Sequence, residues 1–337
     1  RVIPRLVASM GPAERMPMRV GRHTIVVSVA SLVGLVLACE ATSSAPPAAT
    51  APAAPIVTPL PPVPLASTPA PSASTATATP PTPTSPSMRQ FDEDVQFLNQ
   101  HGAGIKVLEA AGGGRIAISG KYQGRIMTSA VEAQGKSLGF INRSFIEAGK
   151  TATAFDNYGG EDRFWLGPEG GQYALYFAAG EPFEFGNWQT PHAFQEGEWL
   201  EKAASPSSVT FTHTLALANY AKAEFKLDVA RKLSLLSAEH AKVSLGLDIP
   251  AGVKWGGFSS ENAITNRGAK AWTEDKGLPS VWILGMFSPA PGTRIVMPFE
   301  KQGSGDVVND RYFGKVPPER LQIHHDKGFV LLKADGQ

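Results

Sequence analysis

Beyond residue 101 the hydrophobic residues recur mostly with a period of two, and this feature constrains the fold more than any other. In the segment SVTFTHTLAL the threonines lie on one face, and the opposite face carries Val209, Phe211, His213 and Leu215. Such alternation is typical of a β-strand with one buried face. The segment EFKLDVARKLSLLS alternates in the same way but slips near Ala230, which predicts a β-bulge.

Further strands are predicted where short runs of strand-forming residues lie between clusters of glycine, proline and asparagine. These runs span residues 105–109, 115–119, 124–129, 137–142, 172–177, 281–287, 294–298, 320–324 and 329–333. One helix is predicted over Met88–His101, because Phe91, Val95 and Leu98 recur at helical spacing. Many strands and one N-terminal helix predict a mostly β domain, a large antiparallel sandwich rather than a parallel βαβ fold.

Residues 1–38 have the pattern of a leader segment for export. An apolar run from Thr24 to Leu37 follows two positive charges, Arg19 and Arg22. The run is shorter than the stretch of about 20 residues that a membrane-spanning helix usually needs. We therefore expect a signal segment rather than a span.

The cysteine that follows this leader predicts a lipid anchor. Cys39 is the only cysteine of the chain, and it stands directly after Val36-Leu37-Ala38. This arrangement resembles a bacterial lipobox, in which the thiol is lipidated and the chain is cut before it. We expect a lipoprotein of the cell envelope, periplasmic or surface-exposed, and Glu40 in place of an aspartate favours the outer membrane. The alternatives are an ordinary signal peptide and an anchor helix with an incidental cysteine.

Residues 39–87 are predicted to form a disordered tether. From Ala41 to Ser87 the chain consists almost entirely of alanine, proline, serine and threonine. Such a segment buries too little apolar surface to offset the entropy of ordering it. The β domain is therefore predicted to occupy residues 88–337.

Charge and motif content exclude several classes of function. The net charge is +1 without any lysine- or arginine-rich run, so no nucleic-acid partner is expected. A single cysteine excludes an internal disulfide and a multi-cysteine metal site. His324 and His325 of the motif HHD would point to opposite faces of a strand, so no metal site is expected there. No cofactor is expected, because the glycine-rich run AAGGGRIAISG precedes a strand instead of a phosphate-binding helix.

The segment NYGGEDRFWLGPEGGQYALYF is the first candidate site. Gly159-Gly160 can turn sharply, and Asp162, Arg163 and Trp165 follow. A carboxylate, a guanidinium and an indole side by side suit a sugar, which offers hydroxyls and an apolar C–H face. The alternative is an internal Asp162–Arg163 pair that stiffens the turn, with Trp165 in the core.

A second candidate segment is FEFGNWQTPHAFQEGEW. It places Trp188, His192 and Trp199 among glutamates, a mixture that suits a polar and aromatic cleft. The alternative is a hydrated surface loop. Asn142 and Arg143 are expected at a strand end, from which their side chains can reach a cleft.

Three blocks of the chain carry a resemblance to known families. SLGFINRSF, DNYGGEDRFWLGPEGGQYALYF and GNWQTPHAF resemble an uncharacterised family of exported bacterial lipoproteins, over most of residues 88–337. More distantly, Asn142-Arg143 followed by a YGG turn is similar to galactose mutarotase and its relatives. Those proteins are β-supersandwiches that bind sugars on a concave sheet face, with a histidine as acid and a late glutamate as base. The resemblance implies His192 as the acid and Glu300 as a candidate base.

Together these patterns predict an exported lipoprotein that binds or processes carbohydrate. If the domain is an enzyme, we expect a sugar epimerase, lyase or hydrolase that works by acid–base catalysis. His192 is then the acid, and the candidate bases are Glu169, Asp162 and Glu300. The expected ligand-binding residues are Asn142, Arg143, Arg163, Trp165 and Trp188. The alternative is a non-catalytic module that binds surface or cell-wall glycans or acts as a scaffold.

Overall fold

The structure is a computed structural model, and it describes a defined part of the chain. The described residues are 23–30, 33–34, 89–149, 151–152, 154–195, 197–245, 248–299, 307–308 and 315–335, with the backbone alone for 23–30, 33–34 and 245. Some predictions fall outside these residues: most of the leader over 1–38, the lipid anchor at Cys39, the tether over 39–87 and the role of Glu300.

Strands dominate the described part of the chain. They are β1 (His23–Ala30), β2 (Val33–Gly34), β3 (Ile105–Glu109), β4 (Arg115–Ser119), β5 (Arg125–Ala130), β6 (Arg163–Gly167), β7 (Leu200–Ser205), β8 (Ser208–Ala218), β9 (Glu224–Leu235), β10 (Trp255–Asn266), β11 (Ser280–Leu284), β12 (Arg294–Pro298), β13 (Leu321–His324) and β14 (Phe329–Lys333). The α-helices are α1 (Phe91–Gln100), α2 (Arg143–Ala148) and α3 (Ala238–Leu245). Short 3₁₀ helices span Phe185–Asn187, His192–Phe194 and Glu274–Lys276.

The largest sheet has nine strands in the order β13-β14-β12-β2-β1-β10-β9-β8-β7. Its neighbours pair antiparallel, except that β12 and β2 run parallel. Strands β8, β9 and β10 are the longest of the sheet, and their registers are continuous. Their alternating apolar side chains therefore form one broad buried face.

A second layer lies against that face. It consists of the sheet β3-β4-β5 and the pair β11-β6, which are joined by an isolated bridge between Ile126 and Asp162. One hydrophobic cluster contains Ile126 and Phe164 from this layer together with Phe211 and Val229 from the large sheet. The prediction of a mostly β, antiparallel fold with few helices is therefore confirmed.

Most predicted elements are confirmed, with two exceptions among the strands. Residues 137–142 form only isolated bridges and lead into α2, which Asn142 caps. Residues 172–177 are not a strand, although 174–177 are buried, because backbone hydrogen bonds fold the segment back onto Gly171 and Pro168. Strand β10 was not predicted, because several of its buried positions hold polar residues: Ser259, Ser260 and Asn262.

The prediction of a β-bulge near Ala230 is wrong. Strand β9 pairs with both neighbours without any shift in register. Buried and less buried positions alternate through it from Glu224 to Leu233, and the buried position after Val229 holds Arg231. The hydrophobic pattern slips because a charged residue occupies a core position, not because the backbone is irregular.

Candidate functional site

The glycine-bracketed segment is part of the core. Asp162 has no exposed surface, and Arg163 and Trp165 are each 2% exposed. Asp162 forms an ion pair with Arg231 and accepts a hydrogen bond from Ser260 Oγ at 3.1 Å. The sequence left open an internal ion pair at this place, and the structure has one, but the partner of Asp162 is Arg231 of the opposite layer rather than Arg163.

The glycine pair is required by close packing. A Cβ on Gly159 would lie 2.0 Å from the Phe140 carbonyl oxygen, and one on Gly160 would lie 2.4 Å from Cδ of Arg125. Both glycines have positive φ angles, +87° and +110°. Only glycine adopts these angles without strain and leaves room for the neighbouring backbone. The turn therefore brings Asp162 and Arg163 into the interior instead of presenting them at an edge.

Arg163 lies buried beside the aromatic core. Its guanidinium carbon stands 4.5 Å from the Trp165 ring centre, and its Nη1 donates to the Asp156 carbonyl oxygen at 3.2 Å. Its Nε and Nη2 are buried, and neither has a hydrogen-bond partner within the described ranges. Burial lowers the pKa of Arg163 to about 10, so the side chain remains charged at neutral pH.

A cleft of about 630 Å³ opens beside this core, at the end of β8. Its walls come from four stretches of chain, residues 151–158, 175–178, 189–195 and 216–218. The hydrogen-bonding side chains in its lining are Thr151, Asp156, Tyr158, Tyr176, Gln189, Thr190, His192 and Gln195. Volumes of about 300–1,000 Å³ are usual for small-molecule sites.

Asp156 is fixed in this lining by hydrogen bonds of its side chain and its backbone. Its Oδ1 accepts from the Ala152 amide at 2.8 Å, and its own amide donates to Gln195 Oε1 at 2.5 Å. Gln195 is held in turn, because its carbonyl oxygen accepts from Gln123 Nε2 at 3.2 Å. The carboxylate is therefore positioned before any ligand arrives.

The phenols of the cleft remain protonated at neutral pH. Burial raises the pKa of Tyr158, with the nearby charge of Asp156 as a smaller cause in the same direction. Burial likewise raises the pKa of Tyr176 well above its ordinary value, and its hydroxyl donates to the Leu166 carbonyl oxygen at 3.0 Å. The ring of Tyr158 stacks on Tyr122 at 4.4 Å between centres, so its position is fixed by packing.

Nine side chains were predicted as catalytic or ligand-binding. Among those that the structure describes, His192 alone lies in the lining of this cleft. His192 is exposed and begins a 3₁₀ helix that follows Pro191. Thr190 precedes both, and its Oγ1 is buried and has no hydrogen-bond partner in the described part of the chain. Buried hydroxyls are normally satisfied, so this atom is suited to a ligand or a water molecule.

Glu169 and Trp188 contact each other rather than the cleft. Trp188 Nε1 donates to Glu169 Oε1 at 2.9 Å, and burial raises the pKa of the Glu169 carboxyl. The Trp188 ring nevertheless stacks on Tyr176 of the cleft wall, with 5.2 Å between ring centres. Trp188 therefore supports the wall from behind.

Asn142 and Arg143 take structural roles at α2. Asn142 accepts a hydrogen bond from the Phe145 amide at 3.2 Å, which caps the helix. Arg143 donates to the nearly buried carboxylate of Asp94 on α1, with Nη2 at 2.5 Å and Nε at 3.1 Å from Oδ1. Its guanidinium also lies 4.1 Å from the Phe97 ring centre. These contacts attach α1 to α2, and neither residue lines the cleft.

Several lining residues were not predicted from the sequence, among them four polar ones: Asp156, Tyr158, Gln189 and Thr190. All four adjoin residues that the sequence did single out. Asp156 and Tyr158 stand just before the glycine pair, and Gln189 and Thr190 stand between Trp188 and His192. The signal lay in those blocks, but the most conspicuous charges and indoles proved to be core residues.

Two kinds of feature are absent from the described ranges. No three or more metal-binding side chains of His, Cys, Asp or Glu come together there. No helix in those ranges is long and apolar enough to cross a membrane.

Comparison with known proteins gives one match. The chain matches no curated protein and no solved structure. Residues 89–337 match the model of a family of unknown function, DUF6786, and this region contains every described residue of the cleft. Since the match covers more than half of the chain, the protein belongs to this family of unknown function.

Proposed function

We propose that this domain binds carbohydrate in the cleft that Asp156 and His192 line. The observation that carries the proposal is the composition of the lining. One cleft of about 630 Å³ gathers a carboxylate, an imidazole, phenols, amides and hydroxyls. Few ligands other than sugars offer so many hydroxyl groups to match them.

The individual groups suit the two surfaces of a sugar ring. Hydroxyls of a sugar donate to Asp156, and hydrogen bonds to a charged acceptor are stronger than neutral ones. Gln189, Thr190 and Tyr158 can each donate to or accept from hydroxyls. Phe177 provides an apolar surface in the same lining, against which the C–H face of a sugar can pack.

Acid–base catalysis on the bound sugar is a second candidate function. It is favoured by one observation, that His192 and Asp156 line the same cleft. An imidazole and a carboxylate are the usual groups that donate and accept protons in enzymes. In this version His192 protonates a sugar oxygen and Asp156 accepts a proton, as an epimerase, lyase or hydrolase requires. Asp162 and Glu169, the bases expected from sequence, contact Arg231 and Trp188 instead.

The location that we propose is the bacterial cell envelope. Its support is the apolar leader and the single cysteine that follows it, Cys39. A lipid on Cys39 anchors the chain to the membrane, by preference the outer membrane. The Ala/Pro/Ser/Thr-rich tether then holds the domain away from the lipid surface.

Binding is tested on the full chain with Cys39→Ser, so that lipid does not contribute. A glycan array selects the ligand, and calorimetry gives its affinity for His192→Ala and Gln189→Ala. Both residues are exposed in the cleft, so we expect an unchanged melting temperature and an affinity at least about tenfold weaker. The matched control is His240→Ala, an exposed histidine on α3 outside the cleft. If the wild type binds no glycan, or if His240→Ala weakens binding equally, the proposal is wrong.

Catalysis is tested separately with the glycan that binds. Its anomeric exchange, epimerisation and cleavage are followed by NMR with wild type, Asp156→Asn and His192→Gln. Acceleration by wild type that both variants lose supports an enzyme. Rates equal to those in buffer leave the binding module as the function.

A further inference from the structure

A loop with exposed aromatic rings extends the wall of the cleft outward. Residues 179–188, here called the aromatic loop, lie between two lining residues, Ala178 and Gln189. The loop therefore begins and ends in the cleft wall. It carries Phe183, which is 43% exposed, and Phe185, which is 72% exposed.

Both rings are connected to the cleft lining by aromatic contacts. Phe183 packs edge-on against Phe177, a lining residue, with 5.0 Å between ring centres. Phe185 is parallel to Trp188 at 6.5 Å, and Trp188 stacks on Tyr176 of the lining at 5.2 Å. A chain of packed aromatic rings thus joins the two exposed rings to the cleft lining.

The loop is held in one conformation by its own hydrogen bonds. Asn187 Nδ2 donates to the Pro182 carbonyl oxygen at 3.0 Å, and the backbone amide of Asn187 donates to the Glu184 carbonyl oxygen at 2.9 Å. From outside the loop, the Tyr220 hydroxyl donates to the Glu181 carbonyl oxygen at 3.1 Å. The exposed position of Phe185 is therefore built into the loop, and a ligand can bind it at little cost in ordering.

The charge of the loop indicates which ligand it suits. Glu181 and Glu184 are its charged residues, and it has no lysine or arginine. Two carboxylates beside exposed phenylalanines repel an anionic lipid surface. They remain compatible with a neutral sugar, whose hydroxyls can donate to them while its C–H face covers a ring.

We propose that the ligand of the cleft is an oligosaccharide, and that a further sugar unit lies on the exposed ring of Phe185. This inference rests on the proposed carbohydrate function and specifies its substrate class. The cleft holds one part of the chain of sugars, and the aromatic loop holds the next unit outside it. Phe185 is then a determinant of ligand length rather than of the sugar that occupies the cleft.

The test uses ladders of one to six units from cello-, malto-, xylo-, manno- and chito-oligosaccharides, titrated by calorimetry. With wild type we expect the affinity to rise as units are added beyond the first. Phe185→Ala should bind longer chains about threefold to tenfold more weakly than wild type and should bind the single sugar with unchanged affinity. Phe185→Trp should restore the gain, because an indole offers a comparable flat surface. The matched control is Val243→Ala, which removes an exposed apolar side chain (74% exposed) on α3.

The outcomes separate the inference from the function on which it rests. Equal loss in Val243→Ala, or a length-dependent gain that survives in Phe185→Ala, overturns the aromatic subsite while carbohydrate binding stands. A wild-type affinity that does not change with the number of sugar units also overturns the aromatic subsite and leaves carbohydrate binding in place. Failure of wild type to bind any ladder rejects both proposals. Binding to phosphatidylglycerol vesicles that Phe185→Ala abolishes, without any effect on the ladders, assigns the loop to lipid and also overturns the subsite.

Discussion

Arg231 and Asp162 form an ion pair that has no exposed surface and joins the two layers of the sandwich. Arg231 lies on β9 of the large sheet, and Asp162 immediately precedes β6 in the opposite layer. The guanidinium also donates to the Gly124 carbonyl oxygen at 2.9 Å and to Asn262 Oδ1 at 2.8 Å. Nearly all N–H groups of the guanidinium are thus used in bonds that hold the two layers in one alignment. This alignment also fixes the position of the glycine turn that leads to the cleft.

Removing one partner of this pair should destabilise the fold strongly. Arg231→Met leaves the Asp162 carboxylate buried without its cation, which costs about 3–5 kcal/mol. The measurement is the free energy of unfolding in urea, compared between the wild type and Arg231→Met. The control is Arg267→Met, because Arg267 forms an exposed pair with Asp228 and the loss of such a pair should change stability little. Similar losses in the two variants would contradict a structural role for the buried pair.

Glu161, the neighbour of Asp162, should make stability depend on pH. It accepts hydrogen bonds from the amide and hydroxyl of Ser129, at 2.6 and 2.8 Å, but burial dominates and raises its pKa from 4.5 to about 7. Between these pH values the folded state binds more protons than the unfolded state. The free energy of unfolding therefore falls as pH rises, by about 3 kcal/mol from pH 4.5 to pH 7.

Thermal or urea unfolding across this pH range checks the assignment to Glu161. Glu161→Gln cannot titrate, so its stability should be flatter between pH 4.5 and pH 7. Glu147→Gln, an exposed glutamate on α2, should behave as wild type. A fall of equal slope in wild type and Glu161→Gln would assign the pH dependence to another group.

Arg143 should matter for stability and not for ligand binding. Arg143→Ala leaves the nearly buried Asp94 carboxylate without its main donor, and hydrogen bonds to charged groups are worth about 1.5–3 kcal/mol. We expect a loss of this size in unfolding experiments, with carbohydrate affinity unchanged. Weaker binding without lower stability would return Arg143 to the binding role that its place in the sequence suggested.

Lipid attachment is expected at Cys39. A cysteine directly after Val36-Leu37-Ala38 is in the position where the thiol of a lipoprotein is modified. Cells fed a tagged fatty acid should label the wild-type protein and not Cys39→Ser. Label of equal intensity on both proteins would contradict the anchor.

The sequence predicted the fold better than the site, for a physical reason. Strands such as Ile105–Glu109 and Phe329–Lys333 were predictable because their own residues favour extended chain and glycines bound them. Strand β10 was not, because its polar residues are buried only through partners far along the chain. Ser260 donates to Asp162, and Asn262 accepts from Arg231. No local sequence pattern reveals these contacts.

The same limit applied to the candidate site. Asp162, Arg163 and Trp165 were prominent in sequence because charges and an indole stand between glycines, but those glycines turn the segment into the core. Asp156 and Thr190 were inconspicuous as single residues. They became candidates only when the fold brought residues 151–158 and 189–195 together in one cleft. His192 was predictable because it lies among aromatic residues in an exposed segment.

The most direct test of carbohydrate binding is a crystal structure of the chain soaked with the glycan that binds most tightly. We predict density for a sugar within hydrogen-bond distance of Asp156, Gln189 and His192, in the cleft at the end of β8. The hydroxyl of Thr190, which has no hydrogen-bond partner among the described residues, should gain one directly or through a water molecule. Density for the glycan at another surface, with the cleft free of sugar, would contradict carbohydrate binding in this cleft.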